Sequence, residues 1–85
     1  MKLLKFEASW CGPCKQLSKV LETMELPWPI CPIDIDENRD AAVEYGIRGV
    51  PTMILMDENN NIIKKVTGAL SKSQIIEEFE LGESN

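Results

Sequence analysis

The feature that constrains the fold most is a change of hydrophobic period on either side of two closely spaced cysteines, Cys11 and Cys14. Residues 3–8 form a short apolar run, which is typical of a buried strand. The proline between the cysteines is tolerated in the first turn of a helix, because first-turn amides have no partner within the helix. The sequence therefore predicts a strand that ends just before the cysteines and an amphipathic helix that begins at about Gly12 and ends before Pro27. The apolar positions of this helix fall at helical spacing, at Leu17, Val20, Leu21 and Met24.

A second strand and a second helix are predicted in the next part of the chain. The apolar residues Ile30, Cys31, Ile33 and Ile35 indicate a strand. Either Asp36 or Asn38 can cap a short helix that runs to Tyr45, and Gly46 provides its C-terminal stop. With the first strand and helix, the second strand completes a βαβ unit.

The last third of the chain predicts a hairpin and a final helix. Residues 52–56 and 62–67 have the composition of strands, and the polar run 57–61 between them is typical of a turn. Ser71, followed three residues later by Gln74, forms a capping box that opens the last helix.

The resulting order, βαβαββα, predicts a single α/β domain over residues 1–85, with a four-stranded mixed sheet and three helices. With 44% hydrophobic and 27% charged residues, a chain of this size suits one small core. Leu4 and Phe6 share the more apolar face of the first strand. We expect helices one and three to cover that face, and the short second helix to cover only part of the face that carries Lys5 and Asp34.

Composition excludes several classes of function. The net charge is -5 with no basic cluster, which argues against nucleic acid and against an anionic membrane surface as partners. No apolar run approaches the length of a membrane span, and we expect a cytoplasmic protein. Three cysteines are an odd number, which argues against a secreted disulfide framework, and the absence of histidine removes histidine-based catalysis. A zinc site through Cys11, Cys14 and Cys31 would lack a fourth ligand, so we expect no metal.

Three stretches, in order along the chain, resemble the thioredoxin family: WCGPC at residues 10–14, YGIRGVPT at 45–52 and GALS at 68–71. The resemblance covers essentially the whole sequence. A standard thioredoxin carries an extra N-terminal strand and helix that this sequence lacks, so the chain resembles a minimal, glutaredoxin-sized thioredoxin. The resemblance implies a monomeric protein-disulfide reductase for electron transport and cell redox homeostasis. It also implies disulfide-containing client proteins, recharging by a flavin-dependent enzyme of the thioredoxin-reductase type, and no cofactor beyond a redox-active Cys11–Cys14 disulfide.

The chemistry of the two cysteines supports the same interpretation. Cys11 at a helix N-terminus meets unpaired amides and the positive end of the helix dipole, which favour thiolate over thiol. Cys11 would attack a substrate disulfide, and Cys14, one turn further into the helix, would resolve the mixed disulfide. Because neither Gly12 nor Pro13 is cationic, the thiolate is stabilised only moderately, and disulfide reduction is the favoured direction.

The resemblance also implies a client-binding edge. The Val50–Pro51 peptide bond would be cis and would face the dithiol, leaving the Val50 backbone free to pair with an extended client segment. The alternative is that a strand-initiating proline, an exposed tryptophan and turn glycines have structural roles only. The residues assigned to client binding are Trp10, Gly12, Pro13, Gly49, Val50, Pro51 and Gly68.

Lys5 departs from the family pattern. Thioredoxins typically hold a buried aspartate six residues before the first cysteine as proton acceptor, and their partner lysine on the next strand is replaced here by Pro32. One hypothesis is that Lys5 pairs with Asp34 or Glu7 and, if its ammonium lies near Cys14, tunes that thiol and makes the protein more oxidising. The alternative is a solvated surface lysine.

Four other residues have simpler interpretations. We expect Cys31 to pack in the core rather than act as a regulatory thiol, and Trp28 to close the end of the core away from the cysteines. Arg48 and Lys15 flank the predicted active edge, where they either steer acidic clients or are solvated surface charges.

Two other functions remain open at this point. One is a glutaredoxin-like reductase recharged by glutathione, which the small fold favours and the Gly12-Pro13 pair does not. The other is a non-catalytic subunit that binds a partner enzyme through the same edge.

Overall fold

The protein, in a computed structural model, folds into the predicted order of four strands and three helices. The structure describes residues 1–81, so the end of the predicted domain, residues 82–85, lies outside the described residues. The first helix ends at Glu22, before Met24, the last apolar position of its predicted pattern. At the C-cap residue Thr23 the side-chain hydroxyl donates to the Val20 carbonyl, and the chain turns there. The elements are β1 (Lys2–Glu7), α1 (Gly12–Glu22), β2 (Ile30–Asp34), α2 (Arg39–Glu44), β3 (Thr52–Met56), β4 (Ile62–Thr67) and α3 (Lys72–Glu78).

The strands form one mixed sheet in the order β2-β1-β3-β4. β1 and β2 are parallel and are joined by a crossover connection through α1, while β3 is antiparallel to both β1 and β4. Predictions of the mixed sheet and of its element order are therefore confirmed. Because β1 is a central strand, the two cysteines that follow its C-terminal end lie near the middle of one end of the sheet.

The predicted covering of the two sheet faces is wrong. α1 and α3 pack on the face of β1 that carries Leu3 and Lys5, whereas α2 covers the face of Leu4 and Phe6, where Tyr45 lies against the Phe6 ring. The physical reason is that β1 is a central strand with both faces buried, so its alternation does not distinguish them. The buried core beneath α1 and α3 consists of Leu3, Leu17, Leu21, Met53, Leu55, Ile75 and Phe79.

The helix ends follow the sequence signals in most places. Ser71 and Gln74 form the predicted capping box of α3, and Gly46 ends α2 with φ +64°. Asn38 is the N-cap of α2, but its side chain does not cap the helix. The Asp34 carboxylate instead accepts the backbone N–H groups of Asp36 and Glu37 in the preceding turn.

Two core predictions are confirmed. Trp28 packs against the α1 and α3 cluster, with its ring edge-on to Phe79 at a centroid distance of 6.0 Å. Cys31 is half-buried and packs against the cluster under α2, beside its register partner Leu4.

Candidate active site

The β1–α1 junction places the two cysteines in the first turn of α1. Cys11 is the N-cap residue, and its backbone N–H donates to the Ala8 carbonyl at 3.1 Å, which fixes the turn between strand and helix. Cys11 and Cys14 are joined in a disulfide with a Cα–Cα distance of 5.2 Å. The two side chains therefore point at each other, as a dithiol–disulfide couple requires.

A first-turn amide of α1 donates to the Cys11 sulfur. The backbone N–H of Cys14 donates to Cys11 Sγ at 3.0 Å. First-turn amides and the helix dipole both favour negative charge at this position. On reduction, the same geometry stabilises a thiolate on Cys11.

Burial alone does not distinguish the two cysteines. Cys11 is 4% exposed and Cys14 is 2% exposed, and both pack with Ala8 in a small cluster. What differs is the neighbourhood: Cys11 Sγ lies 3.7 Å from the Val50 carbonyl oxygen, whereas Cys14 lines a crevice on the other side of the motif.

The predicted cis peptide between Val50 and Pro51 is present and lies beside Cys11. The Gly68 N–H donates to the Pro51 carbonyl at 2.8 Å, and the Thr52 hydroxyl donates to the Gly49 carbonyl at 2.7 Å. These bonds hold the end of β4 and the start of β3 together around the proline. The structure thus brings Gly49, Val50, Pro51 and Gly68 to one edge.

The remaining predicted docking residues are at the surface of the same junction. Gly12 and Pro13 are exposed in the first helical turn, and a Cβ built on Gly12 or Gly49 would meet no atom within 4 Å. Trp10 is 66% exposed, and its indole N–H donates to Asp36 Oδ2 at 2.8 Å. Asp36 was one of two predicted caps of the second helix, and its contact with Trp10 was not predicted because the sequence holds no local signal for it.

Lys5 is buried rather than solvated, so the surface-lysine alternative is wrong. Its ammonium lies 2.9 Å from Glu7 Oε1, one of the two predicted partners, and donates to the Ser18 hydroxyl. Asp34, the other predicted partner, is engaged in its turn instead. Ser18 lies four residues after Cys14 on α1 and so occupies the same face of the helix. Its role was missed because the contact joins a strand to a helix.

Two charged residues flank the site. Lys15 and Arg48 are both exposed near the active edge.

Within residues 1–81, no group of three or more histidine, cysteine, aspartate or glutamate side chains is arranged to hold a metal ion. In the same range, no helix has the length and apolar character needed to cross a bilayer.

Comparison with known proteins identifies relatives along almost the whole chain. The thioredoxin family model matches residues 1–80. The thioredoxin of Pseudomonas aeruginosa is 43% identical over 77 residues, which cover 86% of this chain and 70% of that protein. The thioredoxin of Chlorobaculum thiosulfatiphilum is 35% identical over 82 residues, covering 92% and 75% of the two chains.

Solved structures agree with the sequence relatives. Thioredoxin 1 of Thermosipho africanus superposes with a TM-score of 0.80 at 28% identity, over 95% of this chain and 92% of that one. A mutant thioredoxin of Halobacterium salinarum gives a TM-score of 0.79 at 36% identity, covering 88% and 67% of the two chains.

Proposed function

Because the chain belongs to the thioredoxin family and its paired Cys11 and Cys14 make it a dithiol–disulfide oxidoreductase, we propose that it works in the direction of reduction on disulfides of client proteins. The observation that carries this proposal is the Cys14 N–H aimed at Cys11 Sγ, beside the edge formed by Val50 and Pro51.

In the first step, the Cys11 thiolate attacks one sulfur of a client disulfide. A bond forms between Cys11 and that sulfur, the client S–S bond breaks, and the second client sulfur leaves as a thiolate that takes a proton. The helix N-terminus supports this role for Cys11, because its amide stabilises the attacking thiolate. The result is a mixed disulfide between protein and client.

In the second step, Cys14 attacks Cys11 Sγ. The Cys11–Cys14 disulfide forms, the bond to the client breaks, and the client leaves with both of its sulfurs reduced. Two electrons have then passed from the dithiol to the client. The Cα–Cα distance of 5.2 Å supports this step, because it lies within the range that a disulfide spans.

The client is held along the edge beside Cys11. An extended client segment pairs with the free backbone of Val50, while Trp10 provides an apolar surface whose orientation Asp36 fixes. The open space at Gly12 and Gly49 suits close approach of a client backbone. Lys15 and Arg48 steer acidic clients to this surface.

The protein acts as a monomer in the cytoplasm and is recharged by a flavin-dependent enzyme of the thioredoxin-reductase type. A monomer is supported by the edges of the sheet, since a proline, Pro32, lies in the edge strand β2 and two lysines lie on the edge strand β4. A reducing compartment is supported by the free, half-buried Cys31.

The test is reduction of an insulin-type disulfide with either NADPH plus thioredoxin reductase or glutathione as electron donor. Turnover with the reductase, lost in Cys11→Ser, supports the proposal, whereas Cys14→Ser should accumulate a covalent mixed disulfide with the client. Turnover with glutathione alone would point to a glutaredoxin-like reductase. A Cys11→Ser, Cys14→Ser double variant that fully supports the cellular role would point to a non-catalytic subunit.

A further inference from the structure

The resolving step requires a proton to leave a thiol that is almost completely buried. Cys14 is 2% exposed, and only its thiolate can attack the sulfur of Cys11. The chain has no histidine that could take the proton. A nearby carboxylate is the remaining common kind of acceptor.

The surface of Cys14 opens into a crevice of about 280 Å³ that contains two carboxylates, Glu7 and Asp34. Ser18 also lines this crevice, as does Lys15, whose ammonium can only donate. A crevice of this size, with these polar side chains along it, has room for water that can carry a proton between Cys14 and a carboxylate.

The two carboxylates are not equivalent. Asp34 Oδ1 accepts the backbone N–H groups of Asp36 and Glu37 at 2.8 and 3.3 Å, so that carboxylate is part of the β2–α2 turn. Within residues 1–81, the side-chain carboxylate of Glu7 has only the Lys5 ammonium as a hydrogen-bond or ion-pair partner, and Glu7 lines both the crevice of Cys14 and the crevice of Lys5. Lys5 itself lines the adjoining crevice, with Glu7 and Ser18, and not the one that reaches Cys14.

We propose that Glu7 accepts the Cys14 proton during the resolving step, and that Lys5 is the positioning residue that holds Glu7 at the crevice. The inference rests on the proposed roles of Cys11 and Cys14. The Cys14 proton passes through crevice water to Glu7 as the Cys11–Cys14 bond forms and the client thiolate leaves. The departing thiolate then takes a proton from Glu7 or from solvent.

The charge of Lys5 holds the Glu7 carboxylate at the crevice before the transfer. As the Cys11–Cys14 bond forms, the proton neutralises Glu7 and the negative charge leaves on the sulfur of the client. Loss of the proton from Glu7, to that thiolate or to solvent, then restores the ion pair, so the buried ammonium lacks a counter-charge only during the step. The other charged groups along the two crevices are Lys15 and Glu22 on α1 and Asp34 on β2.

The experiment follows the reaction of the reduced protein with dithiodipyridine, a neutral disulfide whose attack releases an absorbing thiopyridone. In a Cys31→Ala background, attack by Cys11 releases the first equivalent and attack by Cys14 releases the second. The first phase tests the proposed function, because it must vanish in Cys11→Ser. The second phase tests the inference, so failure of one is distinguishable from failure of the other.

We expect Glu7→Gln to slow the second phase on the order of 100-fold at neutral pH and to leave the first phase unchanged. The rate in Glu7→Gln should rise tenfold per pH unit towards the ordinary thiol pKa of about 8.5, because hydroxide then supplies the base. In the unchanged protein the dependence should be shallower. A merely structural role for Glu7 would not alter this slope.

Matched variants decide between the neighbouring groups. Asp34→Asn keeps the turn, since an amide oxygen accepts the same N–H groups, and should leave both phases within about twofold. Lys5→Met should slow the second phase less than Glu7→Gln. If Glu7→Gln does not fold, Glu7→Asp, which withdraws the carboxylate by one methylene but keeps an acceptor, should slow the second phase by about tenfold and leave the first phase unchanged.

Three results would overturn the inference. A second phase that is unchanged or faster in Glu7→Gln would mean that the Lys5 ammonium stabilises the Cys14 thiolate directly. Equal slowing in Asp34→Asn would assign the proton to Asp34. An unaltered pH slope would leave Glu7 with a structural role only.

Discussion

The buried ion pair of Lys5 and Glu7 predicts that removing its two partners has unequal effects on stability. The Lys5 side chain is 8% exposed and that of Glu7 is 30% exposed, with 2.9 Å between Nζ and Oε1. At that distance, an effective dielectric constant of 20 gives an attraction of about 6 kcal/mol, most of which desolvation offsets. Glu7→Gln leaves the ammonium without a counter-charge, so we expect a loss of about 2 to 3 kcal/mol in the free energy of unfolding. Lys5→Met leaves a carboxylate that reaches water and puts an apolar chain in a buried position, so the expected loss is below about 1 kcal/mol.

Urea denaturation of the oxidised proteins at neutral pH, followed by circular dichroism, measures these losses in a double-mutant cycle. Glu7→Gln should have little further effect in the Lys5→Met background, which gives a coupling energy of about 2 kcal/mol. The m-values should not change, because the surface exposed on unfolding stays the same. Equal losses in the two single variants, or strictly additive losses in the double variant, would refute the reasoning.

Three further predictions concern the stability of the fold. Leu17 is fully buried in the core under α1, so Leu17→Ala should lower the free energy of unfolding by about 3 kcal/mol in urea denaturation. As a control, Lys19→Ala at an exposed position of the same helix should change that free energy by less than about 0.5 kcal/mol. Ser71→Ala removes the capping box of α3 and should lower the thermal midpoint in calorimetry, at a cost of about 1 kcal/mol. The Asn61 backbone N–H that donates to Asp57 holds the pKa of that carboxyl below its usual value. The ionised Asp57 carboxylate therefore stabilises the fold above the ordinary pKa of about 3.9, and this contribution is lost as the pH falls through the lowered pKa. The difference in the free energy of unfolding between the protein and Asp57→Asn should accordingly shrink in urea titrations below about pH 4.

Local sequence signals predicted the elements well, because most of these signals act within a few residues. The bounds of β3 and β4 follow from β-branched and apolar runs on either side of a polar turn, and the α3 capping box links Ser71 to Gln74 only three residues away. The position of Cys11 at a helix N-terminus follows in the same way from a strand, a proline and a helical pattern.

The features that could not be predicted depend on which elements meet in space. The covering of the sheet was assigned to the wrong faces, since a central strand is buried on both sides and the charge of Lys5 made one face look polar. The contact between Trp10 and Asp36 joins residues 26 positions apart. Ser18 reaches Lys5 only because α1 folds back over β1.

The Lys5–Glu7 pair also bears on the direction of the proposed reaction. A lone ammonium near Cys14 would favour its thiolate, stabilise the reduced protein and make it a weaker reductant. Glu7 balances that charge at 2.9 Å, so the helix N-terminus at Cys11 remains the main source of thiolate stabilisation. A buried lysine is then compatible with a reductant for two reasons. The Glu7 carboxylate compensates the charge of Lys5, and Glu7 lines the crevice of Cys14, whereas Lys5 lines only the adjoining crevice.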